Sequence, residues 1–127
     1  MLGKRVDAAG ALLGAIRRID DPQVALRLMT KCAAFGRLAF AARVTPYGTC
    51  LGQMRRFDAA VEAAFEGLSG VHPTALQWRR ATFAVRNGGL GLRSVADHSA
   101  AAYVASLSAS HDACEALDPA YGAEFAV

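Results

Sequence analysis

Three glycines in four residues, Gly88-Gly89-Leu90-Gly91-Leu92, form the densest chemical signal in the chain. Such a run permits positive φ and close backbone approach, the properties a phosphate loop exploits. The surroundings argue against a nucleotide-binding loop. There is no G-x-x-x-x-G-K-[ST] arrangement, and the glycines follow a helical pattern where a dinucleotide fold would place a strand. The local pattern fits a tight helix-to-helix crossing that inserts Leu90 and Leu92 into the core. Next come Ser94, Asp97 and His98, a serine, an acid and a base within five residues. In a helix, positions i and i+1 point apart, so Asp97 and His98 cannot face each other. The set reads as a capping Ser and Asp beside an exposed His. His72 precedes Pro73 in a turn, and His111-Asp112 falls in weakly patterned chain. No metal-ligand spacing links the histidines, and no metal or other cofactor is implied. Glu62 and Glu66 share a helix face at i, i+4, where two oxygens could meet a cation; an ordinary solvated face is far more common for such a pair.

The cations carry the remaining signal. All fourteen Lys and Arg lie between Lys4 and Arg93, and twelve are Arg. Residues 1–93 hold fourteen bases and six acids, net +8, whereas residues 94–127 hold five acids and no base, net −5. A body of that charge, rich in planar guanidinium forks, suits phosphate as a binding face and suits water as a solvated one. Trp78 stands alone on an amphipathic pattern. That fits a core residue better than a stacking platform, which usually groups several aromatics.

A chain of 127 residues, 54% hydrophobic and 20% charged, is one domain's worth and too short for a polymerase, a P-loop motor or a TIM barrel. Arg27, Lys31, Arg37 and Arg43 interrupt the most apolar stretch, so no membrane-spanning run is expected. The N-terminus lacks a signal-peptide core, its apolar stretch ending at Arg17-Arg18. Cys32, Cys50 and Cys114 are odd in number and far apart, which fits a reducing, intracellular compartment. Cys32 is expected on a buried helix stripe.

The periodicity is helical throughout. Val6, Ala9, Leu13 and Ile16 mark a helix over residues 4–19, and Asp21-Pro22 reads as the N-cap and first position of a second. That second helix is expected to run unbroken from Pro22 to Arg43, burying Ala25, Leu28, Cys32, Phe35, Ala39 and Ala42. After a break at Pro46-Tyr47-Gly48, Leu51, Met54, Phe57, Val61, Phe65 and Leu68 mark a third helix, stopped by Gly70. Its Arg55 and Arg56 come early and its Glu62 and Glu66 late, against the macrodipole preference. A fourth follows Pro73 and ends at Asn87-Gly88-Gly89. The last opens at Ser94-Val95-Ala96-Asp97, a capping-box-like start with Asp in place of the usual Glu, and runs through Ala100, Tyr103, Val104 and Leu107. The fold class is all-α, a small bundle of four or five helices with short Gly/Pro-containing connections. Residues 1–110 are expected as the helical domain and residues 111–127 as a weakly structured acidic segment. With 28 alanines the core rests on small side chains.

The run Gly88-Gly89-Leu90-Gly91-Leu92-Arg93-Ser94, followed by Ala101-Ala102-Tyr103-Val104-Ala105-Ser106, resembles a segment found downstream of the polymerase domain in non-LTR retrotransposon reverse transcriptases. Asp21, Gln23, Ala25-Leu26, Leu28, Cys32, Arg37-Leu38, Phe57-Asp58 and Trp78 recur there with comparable spacing. The likeness covers residues 4–110; Phe83-Ala84 stands where that family usually has Leu-Pro. The resemblance implies a helical, thumb-side region without the palm aspartates that hold two metal ions, hence no polymerase activity and no catalytic residues. Asp20-Asp21 is no substitute, since the Pro22 after it is hostile to a paired strand.

Two classes of function follow. A thumb-like region would grip an RNA or DNA duplex through phosphates, with Arg79, Arg80, Arg86 and Arg93 as first candidates and Arg55 and Arg56 as further ones. A helical interaction module or relic would instead pack against a missing palm domain or a second copy. Neither class involves a membrane.

Overall fold

The computed structural model describes residues 2–46 and 48–121, and every regular element among them is helical. Tyr47 of the expected break and residues 122–127 of the expected acidic segment lie outside the described residues. Helix α1 spans Leu2–Ile16, α2 Pro22–Leu28, α3 Ala39–Val44, α4 Leu51–Ser69, α5 Ala75–Ala81 and α6 Val95–Leu117. Counting α2 and α3 as one interrupted helix, the bundle has five. No helix of the described residues is long and apolar enough to cross a membrane.

Helix α1 lies along α4, and α6 packs on α3 and α4. The stripe of α1 is buried as its spacing requires, at Val6, Ala9, Leu13 and Ile16, with Leu2 added. Helix α4 contributes Met54, Phe57, Val61, Ala64 and Phe65. Seven of the nineteen buried apolar residues among those described are alanine, so the core depends on close helix approach more than on large side chains. Asp21 caps α2 by accepting from the amides of Gln23 and Val24 at 2.9 and 3.4 Å. Gly70 ends α4 in the left-handed region, φ 70°. The cations early on α4 are balanced partly from outside it, since Arg56 meets Asp7 of α1 at 2.9 Å. At its far end Glu66 lies 3.5 Å from His72.

The expected helix from Pro22 to Arg43 does not form as one piece. The Thr30 hydroxyl donates to the carbonyls of Leu26 and Arg27, competition that bends helices, and Met29–Ala33 form a π turn. Ala34 leaves helical geometry at φ −89°, ψ −129°, and a short 3₁₀ turn, Phe35–Arg37, leads into α3. Arg37 Nε covers the carbonyl of Cys32 at 3.1 Å. The extra residue of the π turn rotates the buried face, which becomes Ala25, Met29, Ala33, Ala34, Leu38, Ala41 and Ala42. Cys32, expected inside, is exposed, as is Leu28.

Helix α5 also stops early. It opens with a capping box in which Thr74 Oγ1 accepts from the Gln77 amide and Gln77 Oε1 from the Thr74 amide. It ends at Ala81, whose carbonyl accepts from the amides of Leu90 and Leu92 as the glycine segment folds back. Helix α6, in contrast, continues past Ser110 to Leu117, so residues 111–117 of the expected weakly structured segment are helical. Only Val95 and Ser99 of this helix are fully buried.

Candidate functional site

The glycine segment is a crossing, and its amides are spent internally. Gly88 donates to Val85, Gly89 to Ala84, Leu90 to Ala81, Gly91 to Phe83 and Leu92 to Ala81, at 2.8–3.4 Å. None of these five N–H groups is left to cradle a phosphate. Gly88 and Gly91 hold φ of +84° and +74°. Gly89 is required for a different reason: a Cβ there would collide with the Phe83 carbonyl. Leu92 is carried into the core as expected, but Leu90 stays 39% exposed, a correction to the paired insertion. The fold-back turns the Leu90 side chain toward a surface groove beside α2.

The crossing delivers Ser94 to the start of α6, where the chain makes its best-satisfied polar cluster. Ser94 Oγ accepts from the Asp97 amide at 3.1 Å and donates to Asp58 Oδ2 at 2.6 Å. Asp58, from the second turn of α4, also accepts from the amides of Val95 and Ala96 at 2.9 and 3.1 Å. The first three amides of α6 are therefore all paired, two of them by an acid that lies 36 residues before the cap. Burial pushes the Asp58 carboxyl above its ordinary pKa; Ser94, Val95 and Ala96 pull it back, and Asp97 adds a smaller push upward. The half-cap expected from Ser94 and Asp97 is completed from another helix. The only local signal of this was an acid set beside Phe57 and near Val61 on an apolar face.

These bonds also define what Ser94 does. Its hydroxyl is held by Asp58, while His98 turns its ring edge-on to Phe35, centroids 5.8 Å apart. Ser94 serves a helix start and His98 a ring contact, while the Asp97 side chain makes no reciprocal cap and lines the neighbouring cleft.

Between α5 and this start of α6 lies a cleft of about 200 Å³, lined by Asp58, Trp78, Arg79, Thr82, Arg93, Ser94 and Asp97, among others. Trp78 is half-buried and packs on Phe65, centroids 5.7 Å apart, consistent with a core-edge role. Arg79 and Arg93, fourteen positions apart, thus share one cleft. Arg93 also lies over the Phe35 ring at 5.8 Å. Arg80 lines a second groove on α5 with Leu76, Gln77, Arg79 and Phe83, and Arg86 is exposed on the 3₁₀ turn Val85–Asn87. Arg55 and Arg56 line neither cleft, and Arg56 is engaged by Asp7. Among the described residues, Arg79, Arg80, Arg86 and Arg93 make no ion pair.

Comparison with protein-family models, with curated proteins and with solved structures finds no match.

Proposed function

We propose that this chain binds the phosphate backbone of a nucleic-acid duplex without reading its sequence, through Arg79, Arg80, Arg86 and Arg93. The observation that carries the reading is the meeting of guanidinium groups that have no carboxylate partner, Arg79 and Arg93 lining a common cleft and Arg80 sharing a second groove with Arg79. Planar forks free of internal carboxylates are available to bidentate phosphate contact. The acids nearby leave the balance positive: Asp58 is occupied by three donors, so Asp97 is the one unengaged carboxylate in the cleft against two arginines. The resemblance to the thumb-side region of retroelement reverse transcriptases supports the same reading, as a region that grips rather than polymerises. Arg55 is unpaired but remote from the cleft residues in sequence and lining, and is a subsidiary contact.

Fluorescence anisotropy with two unrelated duplexes tests it. Four phosphate contacts give a log–log salt slope of about −3.6, so affinity falls roughly a hundredfold between about 50 and 200 mM salt, equally for both sequences. No binding at about 50 mM salt overturns the reading, and so does binding indifferent to salt.

A further inference from the structure

The α5 groove combines charge with exposed apolar surface, and phosphate satisfies only the first. Leu76, Arg80 and Phe83 recur at i, i+4 and i+7, so they continue along one side of α5 and its exit. The groove is about 510 Å³, and Leu76 and Phe83 remain 79% and 47% exposed. No carboxylate lines it. The complement exists elsewhere in the chain. Beyond Ser110, α6 carries Asp112 and Glu115, then Asp118 at its C-cap, with no Lys or Arg; the negative end of the helix dipole lies there too. Leu117, 89% exposed, offers an apolar side chain at the last residue of the helix, on the face opposite Asp112 and Glu115.

We propose that the acidic end of α6 in one copy docks end-on into the Leu76–Arg80–Phe83 groove of a second copy, Leu117 at the helix tip against Leu76 and Phe83, and the acids around that tip, Asp112, Glu115 and Asp118, in the positive field of Arg79 and Arg80. The contact is intermolecular by geometry. Helix α6 begins at the cleft that Arg79 lines, and at 1.5 Å per residue Asp112 and Leu117 lie about 25 and 33 Å further along its axis. A chain's own α6 end therefore points away from its own groove. The same separation appears in the sequence as the +8 body and −5 terminal segment. Because the two surfaces differ, each added copy still presents a free groove and a free helix end, so association is head-to-tail and grows with concentration. His111, 3.9 Å from Glu115, is the one basic group among these acids.

Sedimentation velocity over a concentration series tests the contact. The wild type forms species larger than the monomer at about 50 mM salt and loses them at about 500 mM. The exposed-site variant Asp112→Ala/Glu115→Ala/Leu117→Ala sediments as a monomer while keeping the wild-type circular dichroism and melting temperature. Charge reversals close the case: Arg79→Glu/Arg80→Glu and Asp112→Arg/Glu115→Arg are each monomeric alone and associate when mixed. A wild type that stays monomeric at low salt overturns the proposal, as does association that survives the α6 variant or a mixture that fails to associate. Duplex binding by the α6 alanine variant, whose arginines are untouched, reports separately on the phosphate reading.

Discussion

Replacing Asp58 by Ala removes the acceptor for the amides of Val95 and Ala96 and for the Ser94 hydroxyl at one stroke. Loss of a helix cap costs about 0.5–2 kcal/mol, and hydrogen bonds to a charged group contribute about 1.5–3 kcal/mol each. Relief from holding a half-buried carboxylate offsets part of this, so the expected net destabilisation is about 2–4 kcal/mol. For a chain of this size that lowers the melting temperature by about 6–16 °C. Asp58→Asn keeps one oxygen and turns an NH₂ toward other donors, for an expected loss of about 1–2 kcal/mol. Ser94→Ala costs about 1 kcal/mol, and the Asp58→Ala/Ser94→Ala pair is non-additive by at least about 0.5 kcal/mol because the two side chains touch. Urea and thermal unfolding followed by circular dichroism measure all three. An Asp58→Ala protein within about 0.5 kcal/mol of wild type refutes the clasp as the joint between α4 and α6.

Other expectations follow from single features. Burial raises the folded-state pKa of Asp58, so the fold takes up its proton more readily than the unfolded chain. As pH falls from neutrality toward about 4, wild type should therefore gain stability relative to Asp58→Asn in unfolding titrations; a relative loss contradicts the burial argument. Gly89→Ala should unfold the crossing or cost more than about 3 kcal/mol, its Cβ meeting the Phe83 carbonyl, whereas Gly52→Ala, with open space around it in α4, should stabilise by about 0.5–1 kcal/mol. Leu92→Ala should cost about 2–5 kcal/mol and Leu90→Ala under about 1, the contrast that distinguishes the inserted leucine from the exposed one in chemical denaturation.

Helices α1 and α4 were legible because each carries a narrow apolar stripe: Val6, Ala9, Leu13 and Ile16, then Met54, Phe57, Val61 and Phe65. The α2–α3 region was not, because its apolar arc is so wide that a one-residue slip still buries hydrophobic side chains. Nothing among Thr30, Ala33 and Ala34 announces a π turn in the way Pro or Gly would. Helix α6 outran its pattern for a related reason: past Ser99 it buries little, so composition alternates without a stripe while Ala-rich propensity sustains the helix. At the candidate site, the crossing and the Ser94 cap could be read locally. The Asp58 clasp and the meeting of Arg79 with Arg93 join residues that no local window spans.

The most direct test of the phosphate reading is the salt slope of duplex binding for Arg79→Ala/Arg93→Ala against wild type. Both side chains are exposed, so the variant should fold normally. If the two arginines each contact a phosphate, the magnitude of the log–log slope drops by about 1.8 and affinity at low salt weakens equally for every sequence. A slope unchanged from wild type, in a variant with the wild-type melting temperature, contradicts the account.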